Sequence, residues 1–180
     1  MTEVEIIEGC KKGKPACQEA LYKLYGSRMK GICMRYAKTE FEAEDTFQEA
    51  FINVFNNIHN FREGSFPNWM RRIFVNTAIN NYRRNKKHYD HQDSQDLDIQ
   101  DDNQPDGFQE LSTREIVAMI NELPEGYRVV FNLNVVEGYS HREIGEMLEI
   151  AEATSRSQLS KAKNLLKKKL EKINTCKYAS

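Results

Sequence analysis

No apolar run in the chain approaches the ~20 residues needed to cross a bilayer, and the opening stretch MTEVEIIEGCKKGK has no signal-peptide pattern. These absences speak against membrane insertion and lead us to expect a cytoplasmic protein. The four cysteines, Cys10, Cys17, Cys33 and Cys176, form no C-x-x-C pair and have no histidine at ligand spacing. Cys17 and Cys33 fall in helical patterns and read as small apolar fillers. His88 and His91 stand among acids in a polar stretch that does not amount to a metal site. There is no glycine-rich phosphate loop, no nucleophile–base pattern and no metal cluster, so neither an enzyme nor a cofactor is expected. Strand-like alternation and internal repeats are also missing, which leaves an all-α protein.

The 180 residues give room for one ordinary domain or two small ones, and 39% hydrophobic with 29% charged residues suits a folded, soluble chain. A formal net charge of -1 hides a strong segregation. From His88 to Glu110 the chain carries the acids Asp90, Asp93, Asp96, Asp98, Asp101, Asp102, Asp106 and Glu110, with no lysine or arginine. That stretch is therefore -8 and the rest of the chain +7. With few apolar residues and no period, it reads as an extended acidic linker over residues 88–110. It separates two small helical bundles, 1–87 and 111–180.

In the first bundle a short helix is expected from Val4 to Glu8, and a second from Pro15, with Ala16, Ala20, Leu21, Leu24 and Tyr25 at helical spacing. The pattern resumes after Gly26. A third helix places Ala43, Phe47, Ala50, Phe51, Val54 and Ile58 on one apolar stripe. Glu42, Glu49, Asn53 and Asn56 lie on the other side, with Glu44, Asp45 and Gln48 at its margins. This acidic, amidic face suits either solvent or a basic protein partner.

Next comes the loop REGSFP and then NWMRRIFVNTAINNYRRNKK, in which six cations and no acid follow Met70. At about 100° per residue, Arg72, Asn76, Asn80 and Arg83 share one narrow stripe, opposite Met70, Ile73, Phe74, Thr77 and Ala78. Asparagine is a poor helix former but pairs with adenine, and arginine holds phosphate. A solvated polar face is the alternative. In the loop, Phe61 and Trp69 read as core, which leaves Arg62, Ser65 and Phe66 as candidates to contact an unpaired base.

In the second bundle, helices are expected over Thr113–Glu122, Glu125–Val136 and Ser140–Leu148, with a long one from Glu152 to Lys172. Ser140 with Glu143 three residues later is a capping box. Gly145 leaves room for a close crossing, and Ile150 points inward from the turn. On the last helix, Ser155, Leu159, Ala162, Leu166 and Leu170 share one side. Arg156, Ser157, Ser160, Lys161, Asn164, Lys167 and Lys168 share the other. A capped short helix, a tight turn and a cationic second helix make a helix-turn-helix, which lays its second helix in the major groove.

Taken together, the block from EDTFQEAF to RRNKK and the block from LPEGYRVVF to LLKKKL resemble the bacterial extracytoplasmic-function (ECF) sigma factors across essentially the whole chain. The resemblance implies a two-domain promoter-specificity subunit of RNA polymerase. Its first domain would hold the β′ coiled coil of core polymerase through Asp45, Gln48, Glu49 and Phe51. It would open the −10 element with the Phe61–Pro67 loop and read it from Trp69 to Arg84. Its second domain would rest on the β flap and read the −35 element through Arg156, Ser157, Gln158, Ser160 and Lys161. An anti-sigma factor is a common partner of such proteins. Two departures stand out: Glu149 replaces the usual glycine of the turn, and Gln158 replaces a common arginine. Rival readings are a regulator with a helical sensor domain and a helical adaptor whose basic faces are only solvated.

Overall fold

Helices begin where the sequence supplies caps. In the computed structural model, which describes residues 1–89 and 113–178, Thr2 and Glu5 form a capping box that opens α1 (Glu3–Lys11). Pro15 occupies the first turn of α2 (Pro15–Tyr36), where its missing N–H is no loss. The Thr39 hydroxyl accepts from the Glu42 amide at 3.1 Å and opens α3 (Glu40–Asn57). Such caps contribute about 1 kcal/mol each. A 3-10 turn, Ile58–Asn60, leads through a loop to α4 (Phe66–Tyr89). Gly64 supplies a positive φ of 101° in that loop, which a side chain would disfavour.

The described residues divide into two compact units, one before and one after residues 90–112. In the first, α2, α3 and α4 pack against one another, and α1 packs on α2. The shared core holds Leu21, Met29, Ile32, Cys33, Val54, Met70 and Phe74. Each fully buried large side chain contributes roughly 1.5–3 kcal/mol. The Phe51 ring lies 5.0 Å from Phe47 and 5.2 Å from Phe74, nearly perpendicular to the latter, a favoured aromatic geometry. A second aromatic group, Phe61, Phe66 and Trp69, closes the end of the bundle below the loop.

The second unit contains α5 (Thr113–Asn121), α6 (Glu125–Phe131), a π-helical turn (Asn132–Val136), α7 (His141–Leu148) and α8 (Glu152–Tyr178). Its core gathers Leu123, Val129, Val130, Leu133, Ile144, Leu148, Leu159 and Ala162. The buried Arg128 donates from Nη1 to the Asn121 carbonyl at 3.0 Å, fixing α6 to the end of α5. Lys169 on α8 pairs with Glu122. Among the described residues there is no strand.

The structure corrects several expected details. The helix of α2 runs unbroken through Gly26, and Ala16 and Leu24 are exposed while Cys17 takes the inward position. The helix expected to reach Val136 changes to π-helical geometry at Asn132, and α8 continues to Tyr178. Ile150 is half-buried, not fully inward. The acidic stretch expected as a linker lies, from residue 90 onward, outside the described residues.

Candidate nucleic-acid interface and docking face

The inward side of α4 is anchored by Met70, Phe74, Val75, Ala78 and Ile79, all buried. That anchoring turns Asn68, Arg72, Asn76, Asn80 and Arg84 outward as one exposed row at i, i+4 spacing. Three of the expected residues, Arg72, Asn76 and Asn80, are in it. Arg83 lies on the same side of the helix, as expected, but is half-buried. Asn68 and Arg84 complete the row; Arg84 ends the span expected to read DNA, whereas Asn68 lies before it and was missed, although the four-residue repeat was a signal for it. Asn81 turns inward, donating to Thr46 and to Glu49. The Thr77 hydroxyl donates to the Ile73 carbonyl at 2.9 Å and accepts from Asn53 at 3.2 Å.

In the loop before α4, Arg62 and Ser65 are exposed. The Ser65 carbonyl accepts from the amides of Asn68 and Trp69 and starts the helix. Phe66 is a correction: it is 2% exposed, stacked against Trp69 and 5.9 Å from Tyr25. Phe61 and Trp69, expected in the core, are half-buried instead. The buried ring is the one that opens the helix, because its position one turn before Met70 points it into the bundle.

On α3, Asp45 and Gln48 are exposed, as two members of the expected docking set. Phe51 is the correction: at 4% exposure it is a core ring that no partner can reach. Glu49 is half-buried and faces α4, accepting from Asn81 at 2.9 Å and lying 3.8 Å from the Arg84 guanidinium. Glu44 is turned to α2 by Lys30 at 2.8 Å, and that hydrogen bond lowers its pKa. The outward face instead carries Phe41 and Ile52, 75% and 58% exposed, on either side of Asp45 and Gln48. Both are apolar residues out of phase with the buried stripe, which was the legible signal.

The second unit builds its helix pair from the cap inward. The Ser140 hydroxyl accepts from the Glu143 amide, and the Glu143 carboxylate accepts from the Ser140 amide at 2.8 Å. Hydrogen bonds from the Ser140 side chain and backbone hold the Glu143 carboxyl below its usual value. A Cβ at Gly145 would lie 2.9 Å from the Ile150 carbonyl oxygen, so only glycine permits this approach of turn to helix. Glu149 ends α7 in the left-handed region, φ 56° and ψ 43°, where glycine is usual. His141 Nδ1 and the buried Ser155 hydroxyl lie 2.9 Å apart and join α7 to α8.

Ser155, Leu159 and Ala162 seat α8, which leaves Arg156, Ser157, Ser160 and Lys161 exposed. Arg156 is ion-paired with Glu152 one turn earlier, and the Lys161 ammonium stands 5.8 Å from the Tyr127 ring centre. Gln158 is half-buried at the margin of the packed side and does not stand with the outward four. Toward the far end, Leu170 is exposed, not packed. The two units thus each present a cationic or amidic helix face, and the first adds a separate acidic and apolar one.

Residues 21–88 match the sigma-70 region 2 family and residues 113–166 match sigma-70 region 4. The chain is 25% identical to the ECF RNA polymerase sigma-E factor of Haemophilus influenzae, with 96% of this chain and 97% of that protein covered. It is 29% identical to the ECF RNA polymerase sigma factor SigW of Bacillus subtilis, covering 93% and 96%. In fold it is similar to the sigma factor RpoE of Bartonella quintana, solved with the anti-sigma factor NepR. There the TM-score is 0.51 at 19% identity, covering 85% of this chain and 96% of that one.

Proposed function

The chain belongs to the ECF RNA polymerase sigma factors, and from that premise we propose how its surfaces divide the work of transcription initiation. Asp45 and Gln48, with Phe41 and Ile52 beside them, dock on the β′ coiled coil of core polymerase. Their acid and amide groups meet a basic partner while the two apolar side chains lose water, the usual combination at a specific contact. The α4 row of Asn68, Arg72, Asn76, Asn80 and Arg84 reads the −10 element. Arg62 and Ser65, with the half-exposed faces of Phe61 and Trp69, hold an unpaired base beside it. Strand opening draws on the binding energy of captured bases, without nucleotide hydrolysis. The role is one of binding, not catalysis.

Residues 111–180 form the part that rests on the β flap and reads the −35 element, with Arg156, Ser157, Ser160 and Lys161 facing the major groove. Two DNA-binding units on one chain raise each other's effective concentration at a promoter. The relative from Bartonella quintana binds an anti-sigma factor. A protein of that class is the partner we assign as inhibitor, by occlusion of these same faces.

The observation that carries this reading is the sorting of the α4 asparagines. Asn76 and Asn80 stand outward beside Arg72, although solvent-facing asparagine weakens a helix. The test is transcription in vitro from a promoter library with purified chain and core polymerase. Initiation from a defined −10 and −35 pair is expected, and Asn80→Ala should lower it while the core complex survives. Equal loss of both would remove Asn80 from base reading. Binding to duplex DNA without polymerase, as a dimer, would favour a conventional regulator instead.

A further inference from the structure

We infer that Glu152 is a positioning residue for promoter discrimination: it holds Arg156 in the orientation that reads a guanine and raises the cost of binding anywhere else. The inference rests on the −35 reading above. Glu152 is the first residue of α8, and its Oε1 accepts from Arg156 Nη2 one turn on. Both side chains are well exposed. Residues at the start of the second helix of such a pair are the ones that reach base edges.

An arginine on a helix surface samples many rotamers, and most of them offer its charge to the nearest phosphate. A phosphate contact carries no sequence information. Guanidinium is a planar fork with five N–H donors. Glu152 engages a single terminal nitrogen, which leaves other N–H groups of the fork for the O6 and N7 of a guanine. The same carboxylate repels phosphates, so a register in which Arg156 finds no guanine is penalised twice. Selectivity gained by a repulsive element is a general device.

Glu152 also sits where an acid favours the positive end of a helix, so a structural role has to be separated from this one. Glu152→Gln removes the charge and keeps the length. Glu152→Asp keeps the charge at the helix start and shortens the reach to Arg156. The measurement is the base-preference profile at each −35 position, with full chain, core polymerase and a randomised −35 library, alongside affinity for a scrambled duplex. Both variants should lose roughly threefold in preference at the guanine that Arg156 reads, the scale of an exposed ion pair. Glu152→Gln should in addition bind scrambled DNA more tightly. A gain by one common factor on all sequences would reduce Glu152 to bulk charge and overturn the inference, as would an unchanged profile in both variants. Arg156→Ala is the control. If it leaves the profile untouched, the −35 assignment itself fails; if it flattens one position while the Glu152 variants do not, only the positioning role fails.

Discussion

Asn81 donates to the Thr46 hydroxyl at 3.1 Å and to the Glu49 carboxylate at 2.9 Å, clasping α4 to α3 from inside, while Asn80 beside it faces solvent. Adjacent residues of one type thus divide, one binding the two helices together and the other facing outward on the row proposed to read DNA. Asn81→Ala should cost about 1–3 kcal/mol, because Thr46 and Glu49 lose a buried partner. Asn80→Ala should stay within about 0.5 kcal/mol of the parent. Trp69 is the only tryptophan, so its fluorescence during urea unfolding reports on this unit alone. A comparable loss for both variants would contradict the division.

The docking face and the core are separable by the same logic. Ile52→Asp should weaken the complex with core polymerase on gel filtration while leaving the melting temperature nearly unchanged. Phe51→Ala should do the opposite at first, costing about 3–5 kcal/mol of fold stability through the cavity it leaves among Phe47, Phe74 and Tyr22. An Ile52→Asp protein that binds core polymerase normally would remove this face from the interface.

Glu149 holds a left-handed backbone that disfavours any residue with a Cβ by roughly 1–2 kcal/mol. Glycine there also gains freedom in the unfolded chain, which returns about 0.4–1 kcal/mol of that. Glu149→Gly should therefore stabilise the second unit slightly, on the order of 0.5–1 kcal/mol. Gly145→Ala should destabilise it, since its methyl would press on the Ile150 carbonyl. Hydrogen exchange of the α7 and α8 amides distinguishes the two.

The Glu143 cap brings a pH dependence of known sign. Its carboxyl is held below the ordinary value of 4.5 in the folded chain by the Ser140 side chain and backbone. Its contribution is then fully present above 4.5 and disappears as pH falls through the lower folded value. Protection of the first-turn α7 amides should drop over that interval in the parent. In Glu143→Ala it should be low at neutral pH and flat below it. A parent profile as flat as the variant's would deny the carboxylate any role.

How much of this was legible beforehand follows from which forces act locally. The α3 stripe from Ala43 to Ile58 and the Ser140 capping box depend on residues a few positions apart, and both stand as read. Partner choice across helices does not show in a helical projection. Phe51 stood on the buried stripe of that projection and is core, whereas Glu49 divides its side chain between solvent and Asn81 of α4, a partner that α3 alone cannot name. Phe66 and Trp69 exchanged places because burial at a helix start depends on the direction from which the loop enters. The π-helical turn at Asn132 has no counterpart in a fixed period of 3.6, so a pattern argument carried the helix through it.

The crossing of α7 and the turn into α8 depends on an atom that is missing, the Cβ of Gly145. An angle set by a buried backbone contact is indifferent to what the far side of α8 displays. Positions 156, 157, 160 and 161 can then change without disturbing how the helix is presented. Under the proposed −35 reading, new promoter vocabularies are accordingly open to this scaffold by substitution at a few outward sites, whereas any change at residue 145 would redraw the presentation for all of them together.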